Sequence, residues 1–169
     1  MIQNILSKNF IINSLLVFLI FLIDRISKIY VINLDKKFLG SEIFSSKFLN
    51  INLIWNEGIA FGLLSFNESY FYNILTFLIF LIIVVLVFMT IKSKSFKKYS
   101  YIMVLGGALG NIFDRFFYKS VPDFVDFHIG NFHWFIFNVS DIFISLGVIF
   151  LIIFEIIDNK KNKIDEKNI

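Results

Sequence analysis

Apolar positions along the chain gather into four long runs, separated by two mixed stretches and one short basic one. The second run, Phe71 to Ile91, holds no charge and is long enough for a transmembrane helix, which needs about 20 apolar residues. The third runs from about Tyr99 to Phe117 and the fourth from about Asn138 to Ile157. The first, about Phe10 to Ile32, is clean only from Leu15 to Ile23, so a spanning helix there must take in Asp24, Arg25 and Lys28. A cleaved signal peptide is the rival reading of that run. Neither a small-residue cleavage site nor a polar segment leading to one follows it, so a retained helix is expected.

Between the runs the period changes. Leu49, Ile51, Leu53 and Trp55 alternate with Asn50 and Asn52, the pattern of a strand. Two apolar-rich runs between Phe124 and Phe137 flank Gly130-Asn131, which predicts a hairpin. Lys8, the cluster Lys92, Lys94, Lys97 and Lys98, and Lys160, Lys161, Lys163 and Lys167 flank the apolar runs on one side if the number of crossings is even. Lys36 and Lys37 are the minor exception. The fold class expected is an α-helical membrane protein with four transmembrane helices, both termini cytoplasmic, and a small β-rich extracytoplasmic cap built from outer loops 33–70 and 118–137. Residues 1–169 read as one domain, with a polar tail from about 159 expected to be disordered.

Composition agrees with a membrane setting. The chain is 57% hydrophobic and 17% charged, against about 45–50% and about 25% for a soluble domain. The net charge of +3 comes from lysines beside apolar runs, not from a basic aromatic stripe, so no nucleic-acid partner is expected. With no cysteine there is no disulfide framework, thiolate nucleophile or Cys-ligated zinc.

Against this background, Gly106 to Asp141 is dense in polar groups, which are expensive inside a membrane. At 1.5 Å rise per residue, Asp24 lies roughly 21 Å along the first helix, Asn111 and Asp114 roughly 18 and 22 Å along the third, and Asp141 roughly 5 Å below the outer surface. Three helices thus deliver polar groups to the outer half of a ~30 Å core. Asn111/Asp114 and Asn138/Asp141 are i,i+3 pairs, each sharing a helix face. Asp123, just beyond the third helix, can fold back to the same level. Two close carboxylates share a proton; one then activates water and the other acts as acid, which suits peptide hydrolysis without metal or covalent intermediate.

Simpler roles compete for several of these residues. Gly106 and Gly110 have the spacing of close helix packing. Asp24 and Lys28, i,i+4 in the favourable order, fit a structural ion pair. Asp114-Arg115 fits a solvated interface pair, and Asp141 fits a carboxylate favoured by the start of a helix. Asp126 alternates with Asp123 and would point to the other face of a strand, so it ranks below it. His128 and His133 lack a metal-binding spacing, and no metal or cofactor is expected. Glu57 and Glu68 read as solvated loop charges.

Five segments together resemble the bacterial lipoprotein signal peptidases, also called signal peptidase II: Asp24-Arg25-Ile26-Ser27-Lys28, Asn56 to Gly62, Gly106 to Arg115, Val121 to Phe127, and Phe137 to Asp141. The resemblance covers nearly the whole chain in order. It implies an aspartic endopeptidase of the bacterial cytoplasmic (inner) membrane that cleaves diacylglyceryl-modified prolipoproteins just before the lipidated cysteine, with Asp123 and Asp141 as the catalytic dyad. It also implies that Asn56, Asn111, Asp114, Arg115 and Asn138 orient the dyad or hold the substrate backbone, with Asp24 and Lys28 in a structural role. Two positions depart from the family pattern: Pro122 replaces an aliphatic residue, and Val139-Ser140 stands where an aliphatic-Ala pair is common. Pro122 stiffens the approach to Asp123.

Two other classes stay open from residues alone. An ion relay would need polar groups through both halves of the bilayer, and Glu155 is the carboxylate available in the inner half. A non-catalytic assembly factor would tolerate loss of both Asp123 and Asp141.

Overall fold

A computed structural model describes residues 8–58, 69–93 and 96–167. The elements in order are α1 (Lys8–Lys37), β1 (Phe44–Ser45), β2 (Leu49–Asn56), α2 (Ser69–Lys92), α3 (Lys97–Tyr118), β3 (Val121–Ile129), β4 (Phe132–Phe137) and α4 (Val139–Lys167). All four helices fall where the apolar runs place them. The tail expected to be disordered from about 159 is instead helical to Lys167. No Gly or Pro interrupts 148–167, and its Lys and Glu residues are good helix formers, so each added residue extends the ladder.

α3 is the central helix and packs against α1, α2 and α4. A core of Ile83, Leu86, Val104, Leu105, Ala108 and Ile112 joins it to α2. Glycines let its other neighbours approach. A Cβ at Gly106 would stand 2.8 Å from Ile20 of α1, and one at Gly110 would collide with Ser140 Oγ and Asp24. The i,i+4 pair therefore serves two contacts, one to α1 and one where α1, α3 and α4 meet.

Tyr72–Lys92 and Val139–Lys160 are long and apolar enough to cross a membrane. α1 and α3 carry more charge, but α1 turns Asp24, Arg25 and Lys28 inward and leaves Leu15, Phe18, Leu22, Ile26 and Ile29 exposed. Charged groups inside and large apolar groups outside invert the usual order of a water-soluble surface.

The four strands form one antiparallel sheet in the order β1-β2-β3-β4. The expected hairpin joins β3 to β4: Ile129 pairs with Phe132, and Gly130 has φ +59°, as the first position of a tight two-residue turn requires. β2 follows the expected alternation only to Ile51. Its partners jump from Ile51↔Val125 to Ile54↔Asp123, so one extra residue is accommodated as a bulge. Pro122 is fully buried and sits opposite Trp55. β4 pairs with β3 only from Val125 onward, so Pro122 lies where β3 is an edge and a missing N–H is tolerated.

Candidate active site

The site forms where the start of α4, the middle of α3 and the ends of β2 and β3 converge. Asn138 precedes α4 and is fully buried. Its amide Nδ2 donates to Asp123 Oδ1 at 2.6 Å, while Asn56 Nδ2 donates to Asp123 Oδ2 at 2.8 Å. Each oxygen of Asp123 thus holds one carboxamide donor. Asn138 Oδ1 accepts the Asp141 N–H, and Asp141 Oδ2 accepts the Asn138 N–H, both at 3.1 Å. Asp141 Oδ1 accepts from Asn111 Nδ2 at 2.8 Å. A single side chain, Asn138, therefore links the two carboxyl residues.

The β2 bulge decides which Asn reaches Asp123. Without it, Asn56 would share a face with Asn50, whose partner in the ladder is Asp126. The extra residue moves Asn56 to the face of Val121 and Asp123.

Behind this pair lies a buried ionic cluster. Arg25 grips Asp114 through two bonds, Nη1 to Oδ1 at 2.5 Å and Nη2 to Oδ2 at 2.7 Å. Lys28 Nζ bridges Asp24 Oδ2 at 2.9 Å and Asp114 Oδ2 at 2.7 Å. The expected Asp24–Lys28 ion pair is present, and Asp114 is part of it. Lys28 Nζ also donates to Asn111 Oδ1 at 2.8 Å, so Asn111 connects the cluster to Asp141. Asp24 Oδ1 accepts the Ser140 N–H at 3.0 Å and so helps satisfy the first turn of α4.

Asp123, Asp141, Asn56, Asn111 and Asn138 are thus joined directly. Asp114 is fully buried and bonded to Arg25 and Lys28, with no bond to Asp123 or Asp141 among the described residues. Arg115 donates through Nη2 to the Gly58 carbonyl and lies over the Tyr72 ring, 5.4 Å from its centroid; Tyr72 Oη donates to the Arg115 carbonyl. Asp126 faces away from the site, as its alternation implies, and bonds His133 Nδ1 at 2.8 Å; His128 stacks on His133. Glu57 is exposed, and Glu68 and Ile59 to Gly62 lie outside the described residues. Glu155 pairs with Lys97 at 3.0 Å.

Arg25 and Tyr72 are the site neighbours to which the sequence alone assigned no role; Ser140 stood out in it only as a departure from the family pattern. Charge balance is the available signal for Arg25: Asp24 and Asp114 in apolar helices need two cations, and Lys28 supplies one. No sequence signal marks Tyr72.

Burial, and next the negative charge of Asp141, push the Asp123 carboxyl up from the ordinary 3.8 to about 6, against the opposing effect of its two amide donors. A buried carboxyl held above the usual range beside a half-buried one can keep a single proton between them and so serve as a paired acid and base.

Comparison with known proteins places the chain in a family. The family described as signal peptidase (SPase) II matches residues 16–157. The chain is 46% identical over 161 residues to the lipoprotein signal peptidase of Pelagibacter ubique (strain HTCC1062), covering 95% of this chain and 96% of that one. It is 40% identical over 152 residues to the lipoprotein signal peptidase of Francisella tularensis subsp. novicida (strain U112), covering 88% and 93%. A bacterial membrane enzyme solved by the in meso method at 2.3 Å resolution superposes with a TM-score of 0.69 at 31% identity, over 89% of this chain and 90% of that one. A second, at 1.9 Å resolution, gives 0.66 at 32% identity over 85% and 91%. On the family match, these relatives and the shared fold, the chain belongs to the signal peptidase II family of lipoprotein-processing membrane proteases.

Proposed function

We propose that Asp123 and Asp141 are the catalytic dyad of an aspartic endopeptidase that removes the signal peptide from diacylglyceryl-modified prolipoproteins, cutting before the lipidated cysteine. The observation that carries this reading is the arrangement around Asp123: a buried carboxyl with an amide on each oxygen, raised to about 6, and tied through Asn138 to a second carboxyl. The pair holds one proton. Its ionised member takes a proton from water as the water oxygen attacks the scissile carbonyl carbon, and its protonated member gives its proton to the carbonyl oxygen. Collapse of the tetrahedral intermediate breaks the C–N bond: the protonated carboxyl gives its proton to the departing nitrogen, the ionised carboxylate takes one from a hydroxyl of the intermediate, and the pair is left with one proton again. No metal takes part in this scheme.

The same reading puts the chain in the bacterial cytoplasmic membrane with four crossings, both termini cytoplasmic and the sheet on the outer surface. The inward-turned charges of α1 and the basic flanks at one end of the helices support it. A lipidated precursor would then reach the dyad by diffusing in the membrane plane, and water would come from the outer side.

The test is cleavage of diacylated and non-lipidated precursor side by side by Asp123→Asn and Asp141→Asn proteins that still insert. Each variant should lose at least about 10²- to 10⁴-fold in rate, the span of general acid–base catalysis. Normal processing by either variant discards the dyad; equal cleavage of both precursors discards the substrate assignment.

A further inference from the structure

α1, α2 and α3 enclose a groove of about 1090 Å³, to which, among the described residues, neither α4 nor the sheet contributes a lining residue. Its volume lies above the ~300–1,000 Å³ of ordinary small-molecule sites. The two ends differ in chemistry. At one end stand Asn9, Asn13, Ser14 and Lys98; toward the other, Phe21, Leu109 and Phe113 leave an apolar wall. Lys98 is half-buried and has no hydrogen-bond or ion-pair partner among the described residues. Neighbouring Lys97, by contrast, pairs with Glu155 at 3.0 Å and Asp158 at 2.7 Å. From Lys98 to Leu109, α3 rises about 16 Å, about half of the ~30 Å hydrocarbon core and so the depth of one leaflet. Arg25 lies over Phe113 at the far end, 4.9 Å from the ring centroid, but pairs with Asp24 and Asp114. An apolar groove with an uncompensated cation at the Lys98 end therefore has the polarity of a single amphiphile lying along the membrane normal.

We propose that this groove binds a glycerophospholipid with an anionic headgroup, drawn from the leaflet at the Lys98 end. Lys98 and the carboxamides of Asn9 and Asn13 take the phosphate, and an acyl chain lies along Phe21, Leu109 and Phe113. The other apolar occupant to consider is the signal helix of a precursor. With its cleavage end beside Asp123, such a helix would bring its basic leading segment to Lys98. Like charges meet there, so the groove favours lipid over signal helix. The inference needs the membrane setting but not the peptidase chemistry.

The experiment uses the full chain in detergent, with retained lipid read by native mass spectrometry and thermal unfolding. The probes are phosphatidylglycerol, phosphatidylcholine with the same chains, and glycerol 3-phosphate alone. One phosphatidylglycerol should be retained with about fivefold preference over phosphatidylcholine, the effect of one lysine near an anionic lipid surface. Lys98→Gln should erase that preference, and Leu109→Trp should weaken retention of both lipids by filling the groove. Lys92→Gln, at the same end but outside the groove, should keep the preference. Equal retention of the two lipids, equal losses with Lys92→Gln and Lys98→Gln, or the same thermal shift with glycerol 3-phosphate overturns the proposal. Capture of a precursor's signal segment by a photo-crosslinker at Leu109 overturns it as well. The preference should persist in Asp123→Asn protein, so failure here is distinguishable from failure of the peptidase reading.

Discussion

Asn138 and Asp141 cap each other at the first turn of α4, each side chain accepting the other's backbone N–H at 3.1 Å. The arrangement is a capping box with a carboxamide and a short carboxylate in place of Ser/Thr and Glu/Gln. The atoms left over point outward, Asn138 Nδ2 to Asp123 and Asp141 Oδ1 to Asn111. One local motif therefore both starts a helix and holds the two carboxyls.

Those two duties separate in Asn138→Ser. Ser keeps a cap acceptor but cannot reach Asp123, so unfolding in detergent should stay within about 1 kcal/mol of wild type while precursor cleavage falls. Asn138→Ala should lose both, with a further cost of about 0.5–2 kcal/mol for the missing cap. Full cleavage by Asn138→Ser would remove Asn138 from the positioning of Asp123.

Asp114 is bonded to framework cations and, among the described residues, not to Asp123 or Asp141. Asp114→Asn should leave Arg25 and Lys28 with Asp24 as their remaining carboxylate among the described residues, and breaking such a buried pair costs about 3–5 kcal/mol. Thermal unfolding should show a much larger loss than in Asp123→Asn. Equal stability of the two variants would mean that the cluster contributes little to the fold.

At Gly110 a Cβ would meet Ser140 Oγ and Asp24. Gly110→Ala should push α4 from α3 and lower both stability and cleavage. Adding Ser140→Gly should restore part of the loss, measured as a coupling energy in a double-mutant cycle. Additive losses would place the strain elsewhere.

Ser140 itself buries a hydroxyl with no partner among the described residues. Ser140→Ala should raise stability by about 1 kcal/mol, the lower end of the cost of an unsatisfied buried group, without loss of cleavage. A destabilised Ala variant would mean the hydroxyl is bonded in solution.

Asp123 gives the pH dependence. Its carboxyl releases its proton at about 6 in the folded chain and at the ordinary 3.8 when unfolded. Between those values the folded state binds more protons, so stability falls as pH rises from about 4 to about 6. Asp123→Asn removes this dependence. The stability difference, wild type minus variant, should therefore become more negative across that window and level off above it; a flat difference would show that the carboxyl is not raised.

Much of this was legible in the residues. The uncharged run Phe71 to Ile91 and the Gly130-Asn131 turn each became the element expected, because burial period and turn geometry are local properties. The i,i+3 spacing put Asn138 beside Asp141, and the i,i+4 spacing paired Asp24 with Lys28, for the same reason. The role of Asp114 was less accessible. Its partners Arg25 and Lys28 lie 89 and 86 residues away, and no local rule joins them.

The sequence by itself determined the four helices, the β3–β4 turn and the identity of the polar residues kept in apolar surroundings, since each follows from spacing over a few residues. Tertiary structure decided which of those residues meet. The bulge between Ile51 and Ile54 is the clearest case: one extra residue reverses the face of everything beyond it, and so carries Asn56 from the side of Asp126 to that of Asp123. Alternation in β2 alone predicts the opposite face, because a bulge is set by the pairing of two strands that are 67 residues apart at this contact.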